Sequence, residues 1–260
     1  MDDLFDQTTH RYLQALEDYP DVRHLAWLLG PKSACFMEAM YEATECIVST
    51  CTAGSRVLDF GCATGLVTAQ LHARGMRALG MDVVTHRGGV EQVWNAWRSL
   101  QPVFGARLCF YNGRDIPFAD ASFDGVVAHA VLEHVPPHDL PHVLCELYRI
   151  IRPGGHFFAF ATPRPESYTE WIMRSAPGRV LKLNPHQILL DEDDLQRQLI
   201  GVGFEISEFK RTDLMFNQMP GPFQKALNAC APFVVKLDRL LLKTPLSRWA
   251  HHSWVVCEKP

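Results

Sequence analysis

The sequence predicts an α/β fold in which seven strands form a doubly wound, mostly parallel sheet flanked by helices. Two observations carry this prediction. Short apolar runs alternate with helical patterns through the middle of the chain, and glycines mark the ends of several runs. Strands that alternate with helices at this spacing are typical of parallel sheets, which are buried on both faces. The predicted strands are 57–60, 77–82, 107–111, 123–130, 156–161, 204–210 and 253–258.

Helical patterns occupy the segments between these strands. Apolar spacing predicts helices over 66–74, 90–100 and 140–151. The four acidic residues 191–194 suit a helix start, and that helix is expected to run to about residue 200. The sequence Arg-Pro-Gly-Gly at 152–155 predicts a stop between helix and strand.

Two further helical segments flank or interrupt this alternating pattern. Residues 1–50 predict an N-terminal helical cap, and 51–260 predict the main domain with a helical insertion at about 211–249. Within the insertion, the apolar segment 223–249 is interrupted by prolines and predicts two helices. Its lysines and arginines also fit a basic amphipathic helix on a membrane surface, with a lid packed on the core as the alternative.

Composition narrows the class of protein. The 260 residues carry a net charge of -4 and show no basic stripe, which disfavours a nucleic-acid partner. The acidic start does not resemble a secretory signal, and no apolar run reaches the roughly 18 residues of a membrane span. The eight cysteines form no CxxC pair and predict reduced thiols. We therefore expect a cytoplasmic protein.

A glycine-containing loop follows the first predicted strand, in the sequence VLDFGCATG at 57–65. In open α/β sheets, ligands bind beyond the carboxyl ends of the strands, so the loop is a candidate nucleotide-type site. The G-x-G-x-x-G pattern fails at Ala63 and Leu66, which disfavours NAD or FAD, and the Gly-Lys-Ser/Thr of a P-loop is absent from the sequence. Asp59 just before the turn suits a ligand that carries an ammonium group.

The chain here resembles the class I methyltransferases, particularly the small-molecule group that includes the ubiquinone and menaquinone pathway enzymes. The resemblance covers roughly 55–204 and consists of several blocks in the family's order. It implies a Rossmann-like fold, S-adenosyl-L-methionine as cofactor and S-adenosyl-L-homocysteine as product. The blocks are VLDFGCATG at 57–65, LGMD at 79–82, NGRDIPFADASFDGVVAHAVLEHV at 112–135, LYRIIRPGG at 147–155, and a weaker block from His186 to Phe204.

The resemblance assigns the first loop to the methionine half of the cofactor. The residues concerned are Asp59, Gly61, Cys62, Ala63 and Gly65. The family usually has glycine at the position of Ala63, so the extra methyl group implies a small adjustment of the loop.

The resemblance assigns the next two strand ends to the adenosine half. Asp82, followed by Val83, matches the acidic residue that accepts hydrogen bonds from the ribose hydroxyls. Asn112 and Gly113, followed by Arg114, match the segment that reads the adenine amino edge. The family more often has aspartate at the first of these positions, and an amide oxygen can accept the same bond.

Methyl transfer from a sulfonium is an in-line displacement, so the enzyme contributes mainly alignment. The resemblance makes His129 a wall beside the sulfonium. A hydroxyl acceptor also needs a base, and the candidates are His134 and His186. A purely structural role for either histidine remains the alternative.

No metal site is predicted. His134, His138 and His142 are spaced by four, but prolines interrupt the helical face that they would share. Some ubiquinone-pathway relatives bind a metal through Glu-x-x-Glu-His, and here Ala130 stands in place of the first glutamate.

The predicted function is methylation of an oxygen on a small molecule or on a lipid- or sugar-linked intermediate. The alternatives are a C- or N-methyltransferase with the same cofactor and a non-catalytic binding module. The covering segments 1–50, 162–185 and 211–249 are expected to surround the acceptor. A basic group in the second segment could meet an anionic substrate: Arg164, Arg174, Arg179 and Lys182. Peripheral membrane contact through 223–249 is a further possibility, and the oligomeric state is not predicted.

Overall fold

The computed structural model describes residues 1–17, 34–83, 89–105, 107–180, 185–215 and 221–260. Within these ranges seven strands form one sheet. The strands are β1 (Arg56–Phe60), β2 (Arg77–Val83), β3 (Arg107–Tyr111), β4 (Phe123–His129), β5 (Ile151–Pro163), β6 (Glu205–Thr212) and β7 (His252–Glu258).

The strand order is β3-β2-β1-β4-β5-β7-β6, which confirms the predicted fold class. The strands β1 to β5 are parallel, and β7 enters antiparallel between β5 and β6. The order reverses between β1 and β4, and ligands bind at such switch points in open α/β sheets. Because β7 is antiparallel, its first residue, His252, pairs with Pro163 at the end of β5 and lies at the edge where the parallel strands end.

Helices cover the sheet. They are α1 (Asp3–Glu17), α2 (Ala34–Thr50), α3 (Leu66–Ala73), α4 (Gly89–Phe104), α5 (Leu140–Ile150), α6 (Tyr168–Arg174), α7 (Ala176–Val180), α8 (Glu192–Val202), α9 (Gly221–Ala229) and α10 (Ala231–Leu242), with 3₁₀ turns at Leu132–His134 and Pro245–Trp249. The acidic start of α8 works as predicted, because the Asp191 side chain caps the helix by accepting from the Asp194 N–H. Gly203, with φ of +113°, ends it.

Two features differ from the sequence prediction. The expected stop at 152–155 lies inside β5, where the pairing register with β4 shifts and Gly154 adopts a φ of +69°. Glycine permits that local irregularity, so the strand continues through it. The helices α6 and α7 were not predicted, since one or two turns hold too few residues to display a helical period.

The N-terminal helices pack directly on the sheet's own helices. Tyr12 and Leu16 of α1 are buried with Trp97 of α4 in one apolar cluster, and the Gln70 side chain of α3 donates to the Phe5 carbonyl. A separate cap over 1–50 remains a prediction, as does the division at residue 51. In the described part of the chain, no helix is both long and apolar enough to span a bilayer.

Candidate active site

The loop after β1 is held against the end of β2. The backbone N–H groups of Gly61 and Cys62 both donate to the Met81 carbonyl, at 2.8 and 3.0 Å. Gly61 has a φ of +72°, and a Cβ at this position would lie 2.0 Å from Cγ2 of Val131. Position 61 therefore requires glycine for both conformation and space.

Ala63 adopts the left-handed conformation, with φ of +45°. Its N–H donates to Oδ2 of Asp82 at 2.6 Å, and its carbonyl accepts from Nε1 of Trp97 at 3.0 Å. A non-glycine residue pays roughly 1–2 kcal/mol for this conformation. The backbone at this position thus has the left-handed conformation that favours glycine, the residue usual in the family. Two hydrogen bonds hold Ala63 in this conformation.

Asp59 lies at the centre of this loop and is buried. Its Oδ2 accepts from the Thr68 hydroxyl at 2.6 Å. Burial raises the pKa of Asp59 to about 7, against the lowering effect of the Thr68 hydrogen bonds. A cationic group nearby would favour the ionised form of such a carboxyl. The side chain of Cys62 is buried in the apolar cluster that contains Trp97, so its backbone is the part that can meet a ligand at the loop.

Asp82 connects the ends of β1 and β2. Its Oδ1 accepts from the Val83 N–H at 2.7 Å, while Oδ2 accepts from Ala63. A carboxylate offers about four acceptor positions, and it is the kind of group to which a diol such as the ribose hydroxyls can donate.

Asn112 follows β3 and forms a local turn. Its Oδ1 accepts from the backbone N–H groups of Arg114 and Asp115, both at 2.8 Å. An amide oxygen has two lone pairs, so both are in use. A side-chain contact from Asn112 to the adenine amino group would require this turn to open. Gly113, with φ of +86°, has its Cα beside the Val83 side chain.

The ends of four adjacent strands thus present polar groups suited to a nucleoside that carries an amino acid through a sulfonium. A buried carboxyl lies near the end of β1, a second carboxylate lies at the end of β2, and a polar turn follows β3. His129 ends the fourth strand, and its ring makes an edge contact with Phe36 of α2, at 5.8 Å between centroids. These residues fit S-adenosylmethionine.

A second group of polar side chains lies beyond the ends of β5 and β6 and at the start of β7. His186, in the segment before α8, directs Nδ1 at Oε1 of Glu170 on α6, at 2.5 Å. Glu170 is buried, and its Oε2 lies 3.4 Å from the Arg174 guanidinium. Burial would raise the pKa of Glu170, but the hydrogen bond and charge of His186 outweigh it and leave the pKa lowered.

Two buried histidines continue this group. Nδ1 of His251 lies 3.1 Å from the Ser167 hydroxyl, and its Nε2 lies 3.9 Å from Oε1 of Glu170. Nδ1 of His252 contacts Oδ2 of Asp213 at 2.7 Å. Burial holds the pKa of both histidines well below the ordinary range, so both are neutral near pH 7.

The other candidate base, His134, is exposed in the 3₁₀ turn after β4. His138 and His142 lie outside that turn and contact Asp139 and Asp115. The three histidines therefore share no helical face. Sequence reasoning missed Glu170, Asp213, His251 and His252 altogether. For the two histidines, the sequence signal was the His-His pair just before the last predicted strand. Whether this pair lies at the site depends on how that strand enters the sheet.

Two of the four basic residues expected to meet an anionic substrate form hydrogen bonds and ion pairs within the protein. Arg164 is buried, donates to the carbonyls of Arg248 and Ala250, and forms an ion pair with Glu192. Its role is therefore to hold the segment before β7 in place. Arg174 bonds the His186 carbonyl and Glu170. Arg179 is exposed, and Lys182 lies outside the described residues.

Helix α10 packs against α2, where Arg239 lies 2.6 Å from both Glu38 and Glu42. Its opposite side leaves Phe233 and Leu240 exposed by 69% and 61%. Membrane contact through this helix stays a prediction.

Comparison with known proteins identifies the family. Residues 58–159 match the family described as methyltransferase domain. An O-methyltransferase from Aspergillus nomiae is 30% identical over 163 residues, which cover 60% of this chain and 67% of that protein. A demethylmenaquinone methyltransferase from Symbiobacterium thermophilum is 31% identical over 52% of this chain and 60% of its own length.

Among solved structures, the fold resembles a Burkholderia thailandensis 1,6-didemethyltoxoflavin-N1-methyltransferase with bound S-adenosylhomocysteine. The TM-score is 0.55 at 18% identity, over 85% of this chain and 78% of that one. The domain match and the methyltransferase relatives define an enzyme of the methyltransferase class. The chain belongs to the class I S-adenosylmethionine-dependent methyltransferases, as its motifs predicted. S-adenosylmethionine is its cofactor.

Proposed function

We propose that this enzyme transfers the methyl group of S-adenosylmethionine to a hydroxyl oxygen of a small molecule or of a lipid- or sugar-linked intermediate. The observation that carries the proposal is the His186–Glu170 pair at the sheet edge, since oxygen needs a base more than nitrogen does. The names of relatives such as the Aspergillus nomiae O-methyltransferase add support.

In this proposal the cofactor lies over the loop that contains Asp59, Gly61, Ala63 and Gly65, with its ribose at Asp82. The cofactor supplies an activated methyl group. Nδ1–H of His186 donates to the Glu170 carboxylate, which leaves Nε2 as the acceptor of the hydroxyl proton. Glu170 fixes the ring and stabilises the imidazolium that forms.

The test uses cofactor with a ¹³C-labelled methyl group and a panel of phenols with matched anilines and carbon acids. The chemical shift of the product methyl reports the atom that received it. Products that carry the new methyl group on oxygen would support the proposal. His186→Ala should also lower kcat by about 10²- to 10⁴-fold. His138→Ala is the control, because its side chain is 80% exposed in the turn before α5.

Product methyl groups on nitrogen or carbon would replace the proposal with the corresponding alternative. Tight cofactor binding with no transfer to any acceptor class would favour a non-catalytic module.

A further inference from the structure

We propose that Glu170, His186 and His251 form a binding site for one first-row divalent metal ion of the Zn²⁺ type. Each residue offers one ligand atom, and these atoms all lie within 4.8 Å of one another. Two of the distances are 2.5 Å from Glu170 to His186 and 3.9 Å from Glu170 to His251. Donors bound tetrahedrally to one such ion lie about 3.3 Å apart, because each metal–ligand distance is about 2.0–2.1 Å. The donor atoms would therefore move by up to roughly 1 Å on binding, and the partly exposed His186 is the ligand least confined by the core.

A buried polar atom without a partner lies at this place. Nε2 of His251 has no hydrogen-bond partner within the described residues although its side chain is fully buried, and Oε2 of the equally buried Glu170 has only the Arg174 guanidinium, at 3.4 Å. Leaving a buried polar atom without a partner costs about 1–3 kcal/mol, and native proteins tolerate few such atoms. The unsatisfied Nε2 of His251, directed at the Glu170 carboxylate, indicates that the cluster can hold a further group.

The donor types select the class of ion. Two imidazoles and one carboxylate suit Zn²⁺, Co²⁺, Mn²⁺ or Fe²⁺, whereas Mg²⁺ and Ca²⁺ prefer oxygen donors alone. Burial keeps the pKa of His251 well below the ordinary range, so the ring is in the neutral form that binds metal. Its Nδ1 lies 3.1 Å from the Ser167 hydroxyl, which supplies the outer hydrogen bond that orients a ligand histidine.

Two arginines near the cluster already have partners. Arg174 lies 3.4 Å from Oε2 of Glu170, so a bound cation would compete with this ion pair, and the Arg174 side chain is 46% exposed. The buried Arg164 is paired with Glu192.

The ion would replace the proton that lies between Nδ1 of His186 and Glu170, and the metal-bound imidazole would carry its remaining proton on Nε2. His186 would then not act as the base of the proposed function, and the ion would take over that role at its open coordination position. An acceptor hydroxyl bound there would have a lowered pKa. This consequence depends on the proposed function, whereas metal binding itself does not.

The experiment measures metal binding to the full chain, with the exposed thiols Cys145 and Cys230 changed to serine in every sample to suppress background sites. After chelator treatment, Zn²⁺ is titrated by calorimetry and Co²⁺ by its visible spectrum, with Mg²⁺ for comparison. We expect one equivalent of Zn²⁺ or Co²⁺ and no Mg²⁺. Ser167→Ala should weaken binding about 10- to 100-fold, and His186→Ala or Glu170→Gln should weaken it further.

His138→Ala is the matched control and should bind as tightly as the parent protein. Because buried variants can fail to fold, each is first required to bind S-adenosylhomocysteine. Zinc binding that survives in folded His186→Ala and Glu170→Gln overturns the proposal, and so does an absence of stoichiometric binding. Since cofactor binding is scored separately, failure of the metal site is distinguished from failure of the methyltransferase assignment.

Discussion

Replacing Gly61 by alanine should damage both the fold and the cofactor loop, and Gly54 provides a matched control. Both glycines have positive φ, +72° at position 61 and +84° at position 54. A Cβ at position 54 meets nothing within 4 Å, whereas a Cβ at position 61 would lie 2.0 Å from Val131. The two substitutions therefore share the cost of a left-handed alanine and differ in the steric overlap.

The magnitudes follow from these contacts. A left-handed alanine costs roughly 1–2 kcal/mol, partly offset by about 0.4–1 kcal/mol from the stiffer unfolded chain. Gly54→Ala should therefore destabilise the protein by about 0–1.6 kcal/mol. In Gly61→Ala, carbon atoms need about 3.5–4.0 Å, so the loop or Val131 must move by more than 1 Å. Overpacking of this kind adds about 1–3 kcal/mol.

The assays are urea unfolding and calorimetric titration with S-adenosylhomocysteine. Gly61→Ala should lose about 2–4 kcal/mol of unfolding free energy and at least about tenfold in affinity, which corresponds to 1.4 kcal/mol. Gly54→Ala should bind normally. Adding Val131→Ala removes Cγ2, the closest atom, but leaves Cβ 2.7 Å away, so it should restore part of both losses. Equal behaviour of the two single variants would refute the steric reasoning.

Two further predictions concern the buried carboxyl of Glu133 and the indole of Trp97. Burial raises the pKa of Glu133 from its ordinary 4.5 to about 7. Between these pH values the carboxyl ionises in the unfolded chain while the folded protein keeps its proton, so stability falls as pH rises. In chelator-treated protein Glu133→Gln should reduce the fall between pH 4.5 and 8 by about 3 kcal/mol in unfolding free energy, while other buried carboxyls such as Asp59 keep the remainder. Parallel curves for variant and parent would count against it. Trp97→Phe keeps a ring beside Gly65 but leaves the Ala63 carbonyl without its donor. It should cost about 1 kcal/mol in urea unfolding and weaken cofactor binding several-fold, and unchanged values for both would show that this bond does not hold the loop.

The cofactor loop could be recognised from the sequence because its requirements are local. A glycine after a buried strand and an acidic residue at the next strand end occupy fixed positions along the chain. The same locality explains why Asp59 and Asp82 could be singled out. At Asn112 the sequence suggested an adenine contact, but it could not show that the side chain closes its own turn.

The acceptor side was less predictable because its residues meet through the topology. His251 and His252 reach the sheet edge only because β7 runs antiparallel between β5 and β6. Glu170 belongs to a seven-residue helix without a readable period. Arg164 appeared to be a surface cation, yet its burial depends on carbonyls more than 80 residues away in sequence.

The central claim is that the loop around Gly61 and the carboxylate of Asp82 bind S-adenosylmethionine. Calorimetric titration of the parent protein with S-adenosylhomocysteine, beside NADH, tests it most directly. We expect one site with a Kd of about 1–100 µM for S-adenosylhomocysteine, no heat from NADH, and at least about tenfold weaker binding in Asp82→Ala. Binding of NADH alone, or S-adenosylhomocysteine binding that is unchanged in folded Asp82→Ala, would contradict the account.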